Sequence, residues 1–271
     1  KREVISKEKI LVLSLGWGVQ SWTMAAMMAL DELPRADVFI HSDTTFERSG
    51  TYEFAEQWTP WLGERGITVQ TVRADSPKQW RDSKAVFIPA FTVNNDGKNG
   101  QSRRQCTQRW KIAPIRQLVR KEMDARGISV APEVVEMQTG ITIDEFQRMK
   151  DSDVNYIKNV YPLVDRRITR GDCVAWLEEN DLPVPPKSAC TFCPYQSKVA
   201  WMRNKSAGGS DWGEAVEIDN AIRSRRPNHK LFVHSSRLPL EEAVNIPEDY
   251  GASQPSLFDD IEACDSGFCW T

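Results

Sequence analysis

The stretch that most constrains this chain is Lys9–Ser21, where an apolar run meets two glycines and then a helix-compatible sequence. Ile10–Leu13 predicts a buried strand, Gly16 and Gly18 predict a tight turn, and Trp22–Leu30 predicts a helix. A strand, a glycine turn and a helix in this order can cradle phosphate, because helix N–H groups face the anion. The alternative is an ordinary βα turn, since neither G-x-G-x-x-G nor G-x-x-x-x-G-K-[ST] is present.

The next segments continue the alternation of strand and helix. Val38–Ser42 and Ile67–Val72 predict strands, and Thr51–Gly66 predicts the helix between them. This order is typical of a parallel sheet covered by helices, in which ligands bind at the carboxyl ends of the strands. Ser14 and Asp43 follow the first two strands, so we expect both to face one nucleotide.

Beyond the third strand the alternation is interrupted. Asn94–Gly100 is rich in turn residues, and we expect it to be a mobile flap. Trp110–Arg126 predicts a helix, Val134–Gln138 predicts a fourth strand, and Tyr156–Asp165 predicts a strand-like connection. Further helices are predicted at Asp144–Lys150, Thr169–Glu179, Ser197–Lys205 and Asp211–Arg225. We expect a nucleotide-binding domain over 1–150, a cysteine-containing helical segment over 151–250 and a tail over 251–271.

Composition restricts the class of protein. The 271 residues carry a formal net charge of −3, so any contact with nucleic acid would use a local basic patch. No apolar run approaches the ~18 residues of a membrane span, and residues 1–9 lack the apolar core of a signal peptide. We therefore expect a cytoplasmic protein without a membrane partner, whose six cysteines serve metal or redox chemistry rather than disulfides.

The cysteines give the sharpest chemical signal. Cys190 and Cys193 have the C-x-x-C spacing at which two thiolates bind one metal ion or cluster. Cys173 lies seventeen positions upstream of Cys190, and Cys106 stands among arginines, a setting that favours the thiolate. Four thiolates can close a 4Fe–4S cluster or a structural zinc site, and three leave one iron open for sulfide or substrate. The alternative is that Cys106 and Cys173 are unrelated buried thiols.

A second cysteine pair, Cys264 and Cys269, lies near the C-terminus. On a tail, such a pair can shuttle a sulfur atom or form a redox disulfide. It can also join Cys190 and Cys193 on one zinc ion, and the plain alternative is a passive tail.

A polar cluster follows the fourth predicted strand. Gly140 stands at the strand end, and Glu145 and Arg148 are three positions apart, so they share a helix face. Arg148 can reach a phosphate, and the alternative is a surface ion pair. Basic groups recur at 103–104, 109–111, 166–170 and 223–226, which permits a polyanionic substrate without requiring one.

Five segments in order resemble those of the PP-loop ATP pyrophosphatases, and among them the phosphoadenosine phosphosulfate reductase-like proteins. Ser14–Ser21 resembles their Ser-x-Gly-x-Gly-Val-Gln-Ser loop, and Asp43–Glu47 resembles their Asp-Thr-Gly stretch. Cys106–Ile115, Thr139–Arg148 and Lys187–Pro194 are similar to their Cys…Lys-x-x-Pro, Gly…Glu…Arg and later cysteine segments. The resemblance covers about 9–203 of the chain.

The resemblance implies an α/β fold, a parallel-sheet, Rossmann-like PP-loop domain of the adenine nucleotide alpha-hydrolase type, with a cysteine-rich C-terminal segment. It implies that ATP with Mg²⁺ binds at Ser14, Leu15, Gly16, Gly18, Gln20, Ser21, Asp43, Thr44 and Gly140. It implies catalytic roles for Lys111, Arg148, Cys264 and Cys269, and Arg109 is a further candidate to neutralise phosphate charge. It implies a 4Fe–4S cluster, or alternatively Zn²⁺, on Cys106, Cys173, Cys190 and Cys193.

The function that we expect first is ATP-dependent sulfur transfer to a nucleic acid or nucleotide, with adenylation, pyrophosphate release and sulfur insertion. The expected partners are ATP, that substrate, a sulfur donor such as a cysteine desulfurase, and a second copy in a homodimer. One alternative is a sulfonucleotide reductase acting on phosphoadenosine phosphosulfate or adenylylsulfate. Another is a non-catalytic, nucleotide-binding subunit of a nucleic-acid modification system, which Gln20 favours because the wider superfamily has aspartate there.

Overall fold

The structure is a computed structural model that describes residues 9–74 and 85–245. Its strands are β1 (Ile10–Ser14), β2 (Val38–Asp43), β3 (Val69–Arg73), β4 (Phe91–Asn94), β5 (Asn99–Gln101), β6 (Val135–Gln138), β7 (Ile157–Val160) and β8 (His229–Phe232). Its α-helices are α1 (Val19–Ala29), α2 (Ser49–Gly63), α3 (Ala113–Ala125), α4 (Pro162–Asp165), α5 (Arg170–Glu179), α6 (Lys198–Ala207), α7 (Gly209–Ile222) and α8 (Leu240–Ala243). Within these described ranges, no helix combines the length and the apolar character needed to cross a bilayer.

The central sheet has the strand order β3-β2-β1-β6-β7, and its pairs are parallel. From β1 the chain moves outward through β2 and β3, and then returns to add β6 and β7 on the other side of β1. The direction of winding therefore reverses between β1 and β6, which is where α/β sheets bind ligands. The predicted α/β class with a parallel, Rossmann-like sheet is confirmed.

The apolar run of β1 is buried on both faces, as a central parallel strand requires. Leu13 and Leu15 pack with α1 and α5 in one cluster of buried side chains. Ile10 and Val12 face the opposite cluster, which includes side chains of α3. Side chains alternate along a strand, so this short segment holds both helical layers together.

A smaller antiparallel sheet, in the order β5-β4-β8, carries the second part of the fold. It packs with α7 in a third cluster, whose largest side chains are Phe46, Trp110, Phe192 and Trp201. Because β4 and β8 are paired and β7 joins the large sheet, both sheets contain strands from either side of residue 150.

Asn94–Gly100, which we expected to be a mobile flap, contains the turn of a hairpin between β4 and β5. The Asn94 Oδ1 accepts hydrogen bonds from the N–H groups of Asp96 at 3.0 Å and Lys98 at 2.7 Å. Gly97 has a φ of 78°, which a glycine adopts without strain. The same Asn and Gly residues that indicated a loop thus build a tight turn.

Three other segments differ from the predicted elements in type. Thr107–Ile112 forms a π-helix, which includes the first residues of the predicted Trp110–Arg126 helix, and α3 follows it. Ile143–Arg148 is a 3₁₀ helix, where a short helix over Asp144–Lys150 was predicted. Tyr156–Asp165 divides into β7 and α4. Thr169 caps α5, because its side chain accepts a hydrogen bond from the Asp172 N–H in a capping box.

His234, which follows β8, makes stability depend on pH. The Ser236 N–H donates to the His234 Nδ1 at 3.1 Å, which requires that nitrogen to be unprotonated. Burial, helped by the charge of Lys198, lowers the pKa of His234 from 6.5 to about 4. Since the unfolded chain binds the proton more readily in this window, lowering the pH from 6.5 toward 4 destabilises the fold.

Between pH 7 and pH 5, we expect the free energy of unfolding of the wild type to fall by about 2 kcal/mol more than that of the His234→Asn variant. Denaturant unfolding at the two pH values measures this difference. His229→Asn is the matched control, because His229 is more exposed than His234. An equal loss of stability in wild type and His234→Asn would contradict the assignment.

Candidate functional site

The turn between β1 and α1 is fixed by hydroxyl groups. The Gly16 N–H donates to the Ser21 Oγ at 3.2 Å, and the Ser21 hydroxyl donates to the Gly18 carbonyl at 3.3 Å. From outside the turn, the Ser188 hydroxyl donates to the Gly16 carbonyl at 2.7 Å. Ser14, at the end of β1, is buried. These hydrogen bonds fix the shape of the turn, and the one from Ser188 links it to the segment that carries Cys190.

Trp17 anchors this turn to the core. Its φ of 58° is left-handed, which is uncommon and costly for a bulky residue. Its indole is 1% exposed, stacks on Trp22 with centroids 5.9 Å apart, and meets Phe54 edge to face at 6.3 Å. Leu15 is also fully buried, so its contribution to a ligand is limited to its backbone. Burial of the two side chains offsets the backbone strain and leaves the glycines at the surface of the turn.

Gly140 brings the end of β6 against the start of α1. A Cβ at Gly140 would lie 2.8 Å from the Ser21 N and 3.1 Å from the Gln20 carbonyl carbon. No side chain fits there without moving backbone, so the close approach explains the glycine. The loop after β6 therefore closes one side of the crevice between β1 and β6.

Gln20 lies in a buried polar network. Its Nε2 donates to the Glu145 Oε2 at 3.2 Å, and its Oε1 accepts from the Arg170 Nη1 at 3.5 Å. Arg148 forms an ion pair with Glu145, and both residues are buried. The alternative of a surface ion pair is therefore wrong. Burial raises the pKa of Glu145, although the hydrogen bond and charge of Arg148 oppose the shift.

Asp43, at the end of β2, has a complete set of partners. Its Oδ1 accepts from the Tyr52 hydroxyl at 2.8 Å and the Thr45 N–H at 2.7 Å, and its Oδ2 accepts from the Arg73 Nε at 2.6 Å. Burial alone would raise the pKa of Asp43, but these hydrogen bonds and the charge of Arg73 hold it below its usual value. A cavity of about 180 Å³ adjoins the carboxylate, lined among others by Trp17, His41, Tyr52, Thr71 and Arg73.

The Cys190 segment is fastened to the chain that follows β2. The Arg48 N–H donates to the Ala189 carbonyl at 3.0 Å, and the Thr191 N–H donates to the Phe46 carbonyl at 2.9 Å. Glu47 and Cys190 thus form an isolated antiparallel bridge. These two hydrogen bonds bring the C-x-x-C pair to the carboxyl edge of the central sheet.

Three of the predicted metal ligands, Cys106, Cys190 and Cys193, line one cavity. The π-helical turn after Cys106 also directs Lys111 to this cavity, where its Nζ lies 3.3 Å from the Glu47 Oε1. The cavity is further lined by Thr44, Arg104 and Tyr195, among others. Thr44 was expected at the nucleotide, yet its Oγ1 lies 3.5 Å from the Cys190 Sγ.

Cys173 lies elsewhere in the fold. It is fully buried in the cluster between α1 and α5, where it is hydrogen-bonded to Thr23. Burial raises the pKa of the Cys173 thiol to about 12. The structure therefore does not bring the four predicted thiols together, and Cys264 and Cys269 lie outside the described residues. Within the described ranges, no three His, Cys, Asp or Glu side chains are close enough to hold a metal ion.

Several residues at these sites were not predicted from the sequence. Glu47 pairs with Lys111, Ser188 fastens the Gly16 carbonyl, and Tyr52 and Arg73 hold Asp43. Ser188 stands two positions before Cys190, and Glu47 stands four positions after Asp43. Their closeness in sequence to predicted site residues is the signal by which they could have been found. Arg73 gave a further signal, since it ends the strand beside β2.

Comparison with protein-family models and with curated proteins finds no match. Among solved structures, the chain is similar to phosphoadenylyl-sulfate (PAPS) reductase from Candida auris in its phosphate complex. That likeness has 13% identity and a TM-score of 0.44, over 67% of this chain and 78% of the reductase. The chain is also similar to the U34-tRNA thiolase NcsA from Methanococcus maripaludis with its [4Fe-4S] cluster. Here identity is 14% and the TM-score 0.38, over 84% of this chain and 70% of the thiolase. At such values a likeness carries no information on the activity of this chain.

We expect Gly140→Ala to destabilise the fold by about 1–3 kcal/mol, because the added Cβ must displace the first turn of α1. Denaturant unfolding measures the change. Gly213→Ala in α7 is the control: a Cβ there meets nothing within 4 Å, so this substitution stabilises by about 0.5–1 kcal/mol. If Gly140→Ala is as stable as wild type, the loop after β6 does not pack on α1 as described.

Proposed function

We propose that this chain catalyses ATP-dependent sulfur transfer to a nucleic acid or nucleotide. The observation that carries the proposal is the position of Thr44, one residue after Asp43 at the end of β2. Its hydroxyl lies 3.5 Å from the Cys190 Sγ, at the cavity that Cys106 and Cys193 also line. A nucleotide bound at the strand ends and a sulfur held by the cysteines would therefore be neighbours.

The phosphates of ATP would lie at the N-terminus of α1, on the turn Leu15–Gly18. The N–H groups and dipole of an eleven-residue helix favour an anion there. The adenosine would lie toward Asp43 and the cavity of about 180 Å³ beside it. Because the Asp43 oxygens already accept three hydrogen bonds, Mg²⁺ would be bound mainly by phosphate oxygens and water.

The thiols at the smaller cavity fit a thiolate-bound metal centre in their chemistry. Cys106, Cys190 and Cys193 supply three sulfur ligands, and the cations Lys111 and Arg104 line the same cavity. The cavity measures only about 30 Å³, so the three side chains would have to turn to enclose a cluster. When bound, a 4Fe–4S cluster on three cysteines supplies one iron with an open position for sulfur. A zinc ion on the same thiols is the alternative.

The reaction needs positive charge near the phosphates and a dry site for the acceptor. An oxygen of the acceptor forms a bond to the α-phosphorus of ATP, and the bond to the β-phosphate oxygen breaks as pyrophosphate leaves. Hydrosulfide then bonds to the adenylated carbon or phosphorus, and AMP leaves with the electron pair of its bond. Lys111, Arg109 and Arg148 are our candidates to offset the charge that develops on the phosphates. Glu47 holds the Lys111 Nζ at 3.3 Å within this arrangement.

Anaerobically purified protein should be brown, with absorbance near ~400 nm from thiolate-bound iron. Changing Cys106, Cys190 or Cys193 to serine should each remove most of the bound metal, measured by elemental analysis and absorption. Cys173→Ser is the matched control, since Cys173 lies in the core between α1 and α5, and it should retain the full metal content.

A colourless protein that contains one zinc ion per chain would show that the thiols bind zinc rather than an iron–sulfur cluster. Full metal content in all three cysteine variants, or its loss in Cys173→Ser, would overturn the ligand assignment.

With Mg²⁺, hydrosulfide and a suitable acceptor, we expect one pyrophosphate released per sulfur incorporated. Lys111→Ala should lower this rate by about two orders of magnitude, because it removes a cation from the phosphates. A coupled enzyme assay measures the pyrophosphate released, and mass spectrometry of the acceptor measures the sulfur incorporated.

Sulfite release from adenylylsulfate without ATP consumption would show a sulfonucleotide reductase instead. If the protein binds ATP but releases no pyrophosphate with tRNA, DNA or nucleotide acceptors, the result would favour a non-catalytic subunit.

A further inference from the structure

The side chain of Gln20 connects the first turn of α1 to the start of α5. Its amide nitrogen donates to the Glu145 Oε2 at 3.2 Å, while its amide oxygen accepts from the Arg170 Nη1 at 3.5 Å. Gln20 is 5% exposed, so this bridge is made inside the protein. A neutral amide can donate to a carboxylate and accept from a guanidinium at the same time, whereas a carboxylate can only accept.

The charges around Gln20 explain why an acidic residue would not fit its position. Glu145 is buried and is already paired with Arg148. A carboxylate at position 20 would stand beside that of Glu145 in a buried setting, where like charges repel strongly. The glutamine therefore keeps the first turn of α1 neutral while it still contacts Arg170.

Arg170 is held firmly at its backbone. Its N–H donates to both carboxylate oxygens of Asp144, at 3.2 and 3.3 Å. The preceding residue, Thr169, forms a capping box with Asp172 at 2.8 and 3.1 Å. With the start of α5 fixed in this way, the half-buried Arg170 side chain extends to the first turn of α1.

We propose that Arg170 binds the phosphate chain of the nucleotide at the N-terminus of α1, and that Gln20 is the residue that positions its guanidinium. This inference rests on the proposed function, because it needs a phosphate at that turn. A guanidinium presents its N–H donors in a plane that matches two phosphate oxygens at once. Arg170 would thus add a cation beside the backbone N–H groups of the helix terminus.

The direct test is calorimetric titration of the full chain with inorganic pyrophosphate, and with ATP, in Mg²⁺. Arg170→Gln should weaken the binding of each by tenfold or more, and Arg170→Lys should recover part of the loss. Arg166→Gln is the matched control, because Arg166 is an exposed arginine four positions earlier, and its affinities should equal those of wild type.

The positioning role of Gln20 is tested by a double-mutant cycle. Gln20→Leu should weaken pyrophosphate binding several-fold in the wild-type background but change it little in Arg170→Gln. A general loosening of α1 would instead weaken binding by the same factor in both backgrounds. Thermal unfolding of each variant establishes that the chain is folded at the titration temperature.

The outcomes separate the two claims. If wild type binds neither ATP nor pyrophosphate, the proposed function fails and this inference fails with it. If wild type binds both and Arg170→Gln binds them equally well, Arg170 is not a phosphate ligand and the proposed function stands. Equal effects of Gln20→Leu in both backgrounds would overturn the positioning role alone.

Discussion

The candidate site depends on two backbone hydrogen bonds between the segment after β2 and the segment that carries Cys190. They join Arg48 to Ala189 at 3.0 Å and Thr191 to Phe46 at 2.9 Å, across more than 140 positions of sequence. This short antiparallel bridge fixes Cys190 against the chain that follows β2. With it, Cys190 and Cys193 share a cavity with Cys106 and Lys111. A distant loop thereby becomes part of the edge where a parallel sheet binds ligands.

The nucleotide side of the same edge is shaped by packing rather than by charge. Trp17 and Leu15 are buried below the turn after β1, and Gly140 allows the end of β6 to touch the first turn of α1. The strain of a left-handed tryptophan is offset by burial of its indole, so the turn is organised before any ligand binds. The polar groups around it, Gln20 and Glu145 among them, are held in a buried network.

The sequence was enough to predict the parallel class of the central sheet and the longer helices, because period and turn residues are local properties, but it did not predict the smaller sheet of β4, β5 and β8. The order β3-β2-β1-β6-β7 agrees with the parallel arrangement expected from alternating strands and helices. Long-range contacts were not predictable in this way. Cys173 has the same chemistry as Cys190, but its place on α5 turns it into the core against α1. Gly140 looked like a ligand-binding glycine, and its contact with Ser21, over a hundred positions away, is visible only in three dimensions.

The central claim, that Cys106, Cys190 and Cys193 act as one metal-binding set beside the end of β2, is tested most directly by differential alkylation. Anaerobic protein is treated with iodoacetamide before and after removal of its metal, and each cysteine is quantified by mass spectrometry. The account predicts that these three thiols are protected together and become reactive together, while Cys173 stays unreactive because it is buried with a pKa of about 12. Alkylation of the three thiols at unchanged rates after metal removal would contradict it.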